Sequence, residues 1–395
     1  MSSPLRGVRV IDLGTVITAP LAGMMLGDFG ADVIKVERPE GDPFRGSHGG
    51  SYSPTFIAYN RNKRSVVLDL TVERDRNALL EMIDNADVLL DNFRPKVLEK
   101  LGLAPDKLRG RNPRLIQCSI TGFGTSGPYR DRPAFDAVGL ALSGLASLLV
   151  DPSAPESTGP TISDNVTGMQ ACCAILAALV ERNATGKGRR IEVNMLEATM
   201  AFAPDAFTGV LRGGQKPDRL TRAANSQSFV FRCKDGATLA IHLSARDKFW
   251  LALIEAIDAS ELNSDPRFSS HVGRAQNYKV LRTELSLIFL GRSRADWLER
   301  LTRAEVPAAP LLNIEEALLD QQVQALGTIV EMRHPTEGEV RGIGCPVLID
   351  GERPRAQMLA PPTLGEHTNE ILAMGFGRLG SSKIKVGQRS SSREQ

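Results

Sequence analysis

The strongest constraint on this chain is the alternation of short β-branched runs and amphipathic stretches over its first 200 residues. Val8-Arg9-Val10-Ile11-Asp12-Leu13 reads as a buried strand, and a Gly/Thr loop then leads to Pro20 at a helix start. A helix is expected over Leu21 to Phe29, where the small residues Ala22, Gly23 and Gly27 permit close packing on a sheet. Gly30 is a natural C-terminal stop for it. Ala31 to Val36 reads as the second strand, and Ser65–Leu70, Val88–Leu90, Leu115–Ser119 and Arg190–Val193 as further strands. Amphipathic helical stretches separate several of these. Such alternation argues for a parallel sheet with helices on both faces.

The pattern changes after about residue 205. Gly213-Gly214-Gln215-Lys216-Pro217 looks like a linker, and Ser228 to Leu243 reads as two strands joined at Lys234-Asp235-Gly236. Helical patterns follow near Lys248–Ile257, Gln276–Phe289 and Ala295–Ala304, making a second, smaller α+β unit. Strands are expected again at Thr328–Arg333 and Gly344–Ile349, around a turn at Pro335-Thr336-Glu337-Gly338. From Ser381 the chain is Ser- and Lys/Arg-rich and reads as a frayed tail. At 395 residues it is too long for one ordinary core, so two or three domains are expected.

Charge narrows the partners. Forty-eight Lys plus Arg against 46 Asp plus Glu leave a net charge of only +2, with no global field to hold nucleic acid or an anionic membrane. Two Trp and four Tyr leave few platforms for single-stranded nucleic acid. No apolar run reaches the roughly 18 residues of a membrane helix, and Met1 to Arg9 carries no apolar signal region. The five cysteines have no CxxC spacing, which points to reduced thiols and a cytoplasmic location. Cys172 and Cys173, adjacent in an apolar helix, are expected to pack as small hydrophobes. His48, His242, His271, His334 and His367 are scattered outside any ligand spacing, so no metal site is expected.

Three motifs carry chemistry. Gly122-Phe123-Gly124-Thr125-Ser126-Gly127 satisfies GxGxxG, but a dinucleotide site needs that loop to open a helix. Pro128 and the polar Tyr129-Arg130-Asp131-Arg132-Pro133 follow instead, which argues against nicotinamide or flavin. Asp164 precedes the apolar stretch Met169 to Val180 and reads in two ways. It is either an N-cap, or an ionised carboxylate at a helix start that attacks an activated acyl carbon. Basic residues also cluster near strand ends, with Arg38 after the second strand and Arg94 and Lys100 after the Leu90 strand. Ligands of open α/β sheets collect there, so Arg38 and Arg94 are either phosphate contacts or ordinary surface charge.

In order and spacing these stretches resemble the class III CoA-transferase family. The resemblance runs from Gly7-Val8-Arg9-Val10-Ile11-Asp12-Leu13 through Ala19-Pro20, Gly30–Glu37, Gly41-Asp42, Asn62–Ser65, Asn92–Pro95 and Gly122–Gly124. Its most specific block is Asp164, Gly168, Ala177–Leu179, Arg182 and Thr185–Gly188, running into Val193–Ala198. Asp265–Phe268 and Leu364–Thr368 complete it.

The resemblance implies an α/β fold, with a large Rossmann-like domain built from both chain ends, a smaller α+β domain and an interlocked homodimer. The expected division is 1–212 large domain, 213–325 small domain with its linker, 326–380 return to the large domain and 381–395 flexible tail. It implies an acyl-CoA:carboxylate CoA-transferase with Asp164 as covalent nucleophile, coenzyme A and acyl-CoA as substrates, and no permanently bound cofactor. Positions lining the CoA site are Ile17, Thr18, Arg38, Leu68, Asn92, Phe93, Arg94, Lys100, Phe135 and Asp136. Lys100 stands where arginine is frequent, which keeps charge but loses bidentate geometry. Two alternatives stay open: an α-methylacyl-CoA racemase-like isomerase and a CoA-binding protein without catalysis. The racemases pair the aspartate with a histidine immediately before Asp136, where this chain has Phe135.

Overall fold

Runs of Val, Ile and Leu form β1 (Arg9–Asp12), β2 (Asp32–Glu37), β3 (Lys63–Val67), β4 (Val88–Asp91), β5 (Ile116–Thr121) and β6 (Arg190–Asn194). In the computed structural model they make one parallel sheet in the order β3-β2-β1-β4-β5-β6, the doubly wound order. The described residues are 3–376 apart from 48, 49, 158, 215, 355, 356 and 375, so the expected tail at 381–395 lies outside them.

Side chains alternate between the two faces of the sheet. On one face Ile11, Ile34, Val66 and Leu89 pack with Leu79, Met82 and Ile83 of the helix Glu73–Asp84. On the other, Val10, Val33, Val88, Ile116 and Cys118 meet Ala19, Ala22 and Leu26 of the helix Thr18–Asp28. Ala171, Cys172, Ile175, Ala178 and Leu179 of the helix Ile162–Thr185 join that second layer. This last helix is long and apolar enough to cross a membrane by length and composition, yet half of its most apolar window is buried within the fold. Cys172 is buried there as expected, whereas Cys173, one residue on, faces outward.

By residue contacts the chain divides into two units. The first takes residues up to Ala134, Asp164–Met195, and the chain from Val330 onward; the second takes Phe135–Ser163 and Leu196–Ile329. The division differs from the expected boundary at 212/213, because the helices Asp136–Leu142 and Pro204–Gly213 belong with the second unit. That unit holds β7 (Ser228–Arg232), β8 (Thr238–His242) and β9 (Ala308–Pro310), antiparallel throughout. Its core is aromatic: Phe231 stacks on Phe289 at 4.5 Å between ring centroids, and Phe289 meets Trp297 at 4.9 Å.

Further on, β10 (Ile329–His334) pairs with β11 (Gly338–Ile343) across a turn where Gly338 takes a φ of +76°. The strand expected at Gly344–Ile349 is not formed. Pro346 offers no backbone donor, Val347 and Leu348 are exposed, and only an isolated bridge joins Ile349 to Glu352.

The outer edge of β3 is sealed by the late part of the chain. Asn62 exchanges hydrogen bonds with Leu359, His367 N–H donates to Ser65 O at 3.0 Å, and Thr368 Oγ1 accepts from Val67 N–H at 3.1 Å. Gly188, just before β6, lies so close to Leu115 that an added Cβ would meet its carbonyl oxygen well inside contact distance. Gly188→Ala is therefore expected to cost about 2–4 kcal/mol in denaturant unfolding. Gly110→Ala, in the helix Pro105–Arg111 with nothing within 4 Å of the new methyl, should cost nothing.

Candidate active site

Connections leave the sheet in opposite directions from β1 and β4, and in doubly wound sheets the crevice between two such strands takes a ligand. Here a side chain occupies it. Asn92, just past β4, accepts from Thr15 N–H at 3.0 Å, and its amide donates to Thr15 O at 2.8 Å and Thr18 Oγ1 at 3.0 Å. The amide thus imitates one more rung of strand pairing. The open space lies toward β2 and β3 instead. A cavity of about 200 Å³ is lined there by Leu13, Gly14, Thr15, Val36, Arg38, Leu68, Leu70, Thr71, Phe93, Val97 and Leu101, with Lys35, Glu37 and Asp42 in its wall.

Under this floor runs a buried charged network. Lys63 reaches over β2 to Asp12 at 2.8 Å and also donates to Pro20 O and Asn60 Oδ1. Lys35 donates to Asp42 at 2.9 Å and to Gly14 O at 2.7 Å, and the side chains of Lys35 and Asp42 are both fully buried. Arg45 forks onto Glu37 through two hydrogen bonds of 2.8 and 2.7 Å. Burial draws Lys63 down to about 8, against the pull of Asp12. Burial acts the same way on Lys35, but Asp42, Asp12 and Glu37 outweigh it and hold its pKa above the ordinary value. Burial pushes Glu37 and Asp42 up, but Arg45 and Lys35 hold Glu37, and Lys35 with the Phe44 and Val16 N–H groups holds Asp42, below the ordinary carboxylate range.

Asp164 sits third in the helix Ile162–Thr185 and is largely buried. It is therefore a first-turn residue and not the N-cap, because the helix begins seven residues before the apolar stretch. One turn on, Gly168 presses against the first helix: an added Cβ would fall 2.6 Å from Thr18 O and 3.0 Å from Leu21 Cβ. The helix carrying Asp164 is thus seated on the first turn of the helix Thr18–Asp28.

The residues singled out from the sequence separate into groups. Arg38, Leu68 and Phe93 line the cavity, and Arg38 is mostly solvent-exposed, bonded to Gly41 O and paired with Glu40 at 3.6 Å. Arg94 and Lys100 are exposed at the two ends of the short helix Pro95–Lys100. Ile17 and Thr18 are buried at the start of the first helix, and Asn92 spends its amide on the turn. Phe135 and Asp136 belong to the second unit, where they open the helix Asp136–Leu142 and Phe135 is 67% exposed. The Gly122–Gly127 stretch is a loop with no helix before Asp136. Among the described residues, no cluster of three His, Cys, Asp or Glu is placed to hold a metal.

Sequence reasoning missed the network, although its signal was present. A fully buried parallel strand reads as nearly continuous apolar sequence, and Lys35 and Glu37 interrupt β2 on one face.

Comparison with known proteins gives the family. The sequence profile of CoA-transferase family III matches residues 5–368. An acetyl-CoA:oxalate CoA-transferase from Acetobacter aceti is 37% identical, over 90% of this chain and 93% of its own. The beta subunit of a succinyl-CoA–L-malate CoA-transferase from Chloroflexus aurantiacus is 35% identical over 93% of each chain. Among solved structures, a CaiB/BaiF family protein from Brucella suis superposes with a TM-score of 0.83 at 30% identity, covering 94% of this chain and 99% of the other. The chain belongs to CoA-transferase family III. It is a CoA-transferase.

Asp91, at the end of β4, accepts from Ser119 Oγ at 2.7 Å and Phe93 N–H at 3.1 Å, yet burial pushes its carboxyl up to about 6. The folded state therefore holds this proton more tightly than the unfolded chain, and the group costs stability as pH rises from about 4 to 6. Asp91→Asn should be more stable than the parent by about 2–3 kcal/mol at pH 7, with the gain gone below about pH 4 in calorimetry.

Proposed function

We propose that the enzyme transfers CoA from an acyl-CoA to a free carboxylate through covalent adducts on Asp164. The observation that supports this most directly is the seat of Gly168 on Thr18, one helical turn (about 5–6 Å) from Asp164. Thr18 opens the helix that follows Gly14 and Thr15, and those two residues line the cavity. The apolar part of that cavity, with Leu68, Leu70 and Phe93, suits the flat adenine of CoA. Arg38, Arg94 and Lys100 are the cations offered to its phosphates.

The chemistry balances without cofactor. A carboxylate oxygen of Asp164 attacks the thioester carbonyl, the C–S bond breaks, and CoA leaves as thiolate, giving a mixed anhydride. The thiolate then attacks the aspartyl carbonyl and expels the donor acid as carboxylate. The acceptor carboxylate attacks this aspartyl thioester, and CoA leaves again. Finally the thiolate attacks the acceptor's carbonyl carbon, which frees Asp164 and product. Each step exchanges activated acyl groups, so the protein's task is to position, exclude water and stabilise oxyanions. The first turn of a helix supplies a dipole that favours an ionised carboxylate.

The relatives named above act on oxalate and L-malate, which supports a small dicarboxylate as acceptor. Phe135, with no proton to exchange, sets this reading apart from a racemase. A homodimer is proposed from the helices Pro204–Gly213 and Ile314–Leu319, which bury no residue and leave Leu211, Ile314 and Leu319 about four-fifths exposed or more.

Asp164→Ala is expected to lose CoA exchange by a factor of about 10⁴ or more while keeping its melting temperature. Hydroxylamine or borohydride trapping after acyl-CoA should mark Asp164 in the parent enzyme by mass spectrometry. Turnover near normal in the variant overturns the assignment. Light scattering should give twice the chain mass, and a monomer at micromolar concentration would refute the dimer.

A further inference from the structure

Val16 holds a φ of +67°. A β-branched residue in the left-handed region is a true outlier, because its Cβ crowds the following carbonyl, and such backbone persists only where its surroundings over-determine it. Here they do. Gly14 N–H donates to Asp12 Oδ1 at 2.8 Å, and Gly14 O accepts from Lys35 Nζ at 2.7 Å. Both backbone groups of Thr15 are held by the Asn92 amide. Val16 N–H points between the two oxygens of Asp42, at 3.3 Å from each. Five consecutive backbone groups are therefore satisfied by four side chains from separate strands and loops. Asp42 is itself fixed by Lys35 and by Phe44 N–H at 2.9 Å.

The position of this turn gives the arrangement a use. Gly14 and Thr15 line the cavity, while Thr18, at the far end, carries the helix of Asp164 on its carbonyl oxygen. A strained turn held from both sides thus joins a wall of the cavity to the helix on which Gly168 packs. We propose that Asp42 and Asn92 are positioning residues for CoA transfer, holding the Gly14–Ile17 turn with Val16 left-handed so that a thioester crossing it meets Asp164 at bonding distance. The inference rests on the Asp164 reading above and adds to it what sets the approach. The side chains of Asp42 and its partner Lys35 are fully buried in their pair, and both hold backbone groups of the turn. A misplacement of 1 Å is enough to cost about 100-fold in such a step, so a turn free to relax to negative φ should be slow to react without losing its ligand.

The test separates rate from affinity. In single-turnover mixing of acyl-CoA with enzyme, adduct formation on Asp164 is timed by mass spectrometry, and the Kd of CoA is measured by calorimetry. Asn92→Ala should slow adduct formation about 100-fold, with the Kd for CoA changed less than about threefold. Asn92→Asp keeps an acceptor for Thr15 N–H but cannot donate to Thr15 O, and should recover part of that rate. Asp42→Asn, which weakens the hold on Val16, should show the same split. Should it fail to fold, the Asn92 pair decides alone. In amide hydrogen exchange, the Thr15 N–H should lose protection in Asn92→Ala, and the Val16 N–H in Asp42→Asn. Parent-like adduct rates in the folded variants, or a loss found wholly in the Kd, overturn the proposal while leaving the Asp164 reading standing. Absence of any adduct in the parent enzyme overturns that reading, and this inference with it.

Discussion

Buried charge beneath the first helix is the constraint from which the site follows. An ammonium taken out of water costs several kcal/mol unless every proton finds an acceptor. Lys63 meets that demand in full, its three protons shared among Asp12, Pro20 O and Asn60. The geometry also dictates sequence in the helix above. Gly23 lies over the Asp12 carboxylate, where a Cβ would come within 2.9 Å of Oδ2, so a larger residue would lift the helix from its anchor. Packing of Thr18–Asp28 on the sheet is therefore directed as well as apolar. Hydrophobic residues in place of the ion pairs would match their stability, as buried pairs seldom add net free energy. They would supply no hydrogen bonds to the turn after β1.

Strand order and ligand class are separable in this fold. The sheet has the order of dinucleotide-binding domains, and its switch point is in the usual place. Asn92 fills the crevice at that point, and the glycine-rich stretch after β5 runs into a loop and opens no helix. The cavity that remains is shifted to the carboxyl ends of β1, β2 and β3, where Arg38 and Leu68 face it.

Much of the large unit was legible in the sequence, because a parallel sheet leaves runs of Val, Ile and Leu that few other structures explain. Val33-Ile34 and Leu89-Leu90 mark strands at once. The start of the helix carrying Asp164 was not legible by periodicity, since Ser163, Asn165, Thr167 and Gly168 break the apolar pattern until Met169. A better signal was Thr161 followed three residues later by Asp164, the spacing of a capping box. The false strand at Gly344–Ile349 arose the other way, from an apolar Val-Leu-Ile run that the fold leaves at the surface. Partition between the units was hidden because contact, not local pattern, assigns the helices Asp136–Leu142 and Pro204–Gly213. The CoA-lining positions came from family likeness. Of these, Asn92 is the one whose amide is bonded at both ends to the turn after β1.

The edge of β3 has a consequence for how the molecule is made. Open strand edges recruit other chains, and this one is closed by Leu359, His367 and Thr368, with Arg64 also paired to Glu370 at 3.0 Å. During translation β3 emerges some 300 residues before the segment that shields it. The whole of the second unit is synthesised in between, and it can fold as a module while its host still waits. A nascent chain therefore spends most of its time on the ribosome with a sticky flank bare, and truncation near residue 355 would leave it bare for good.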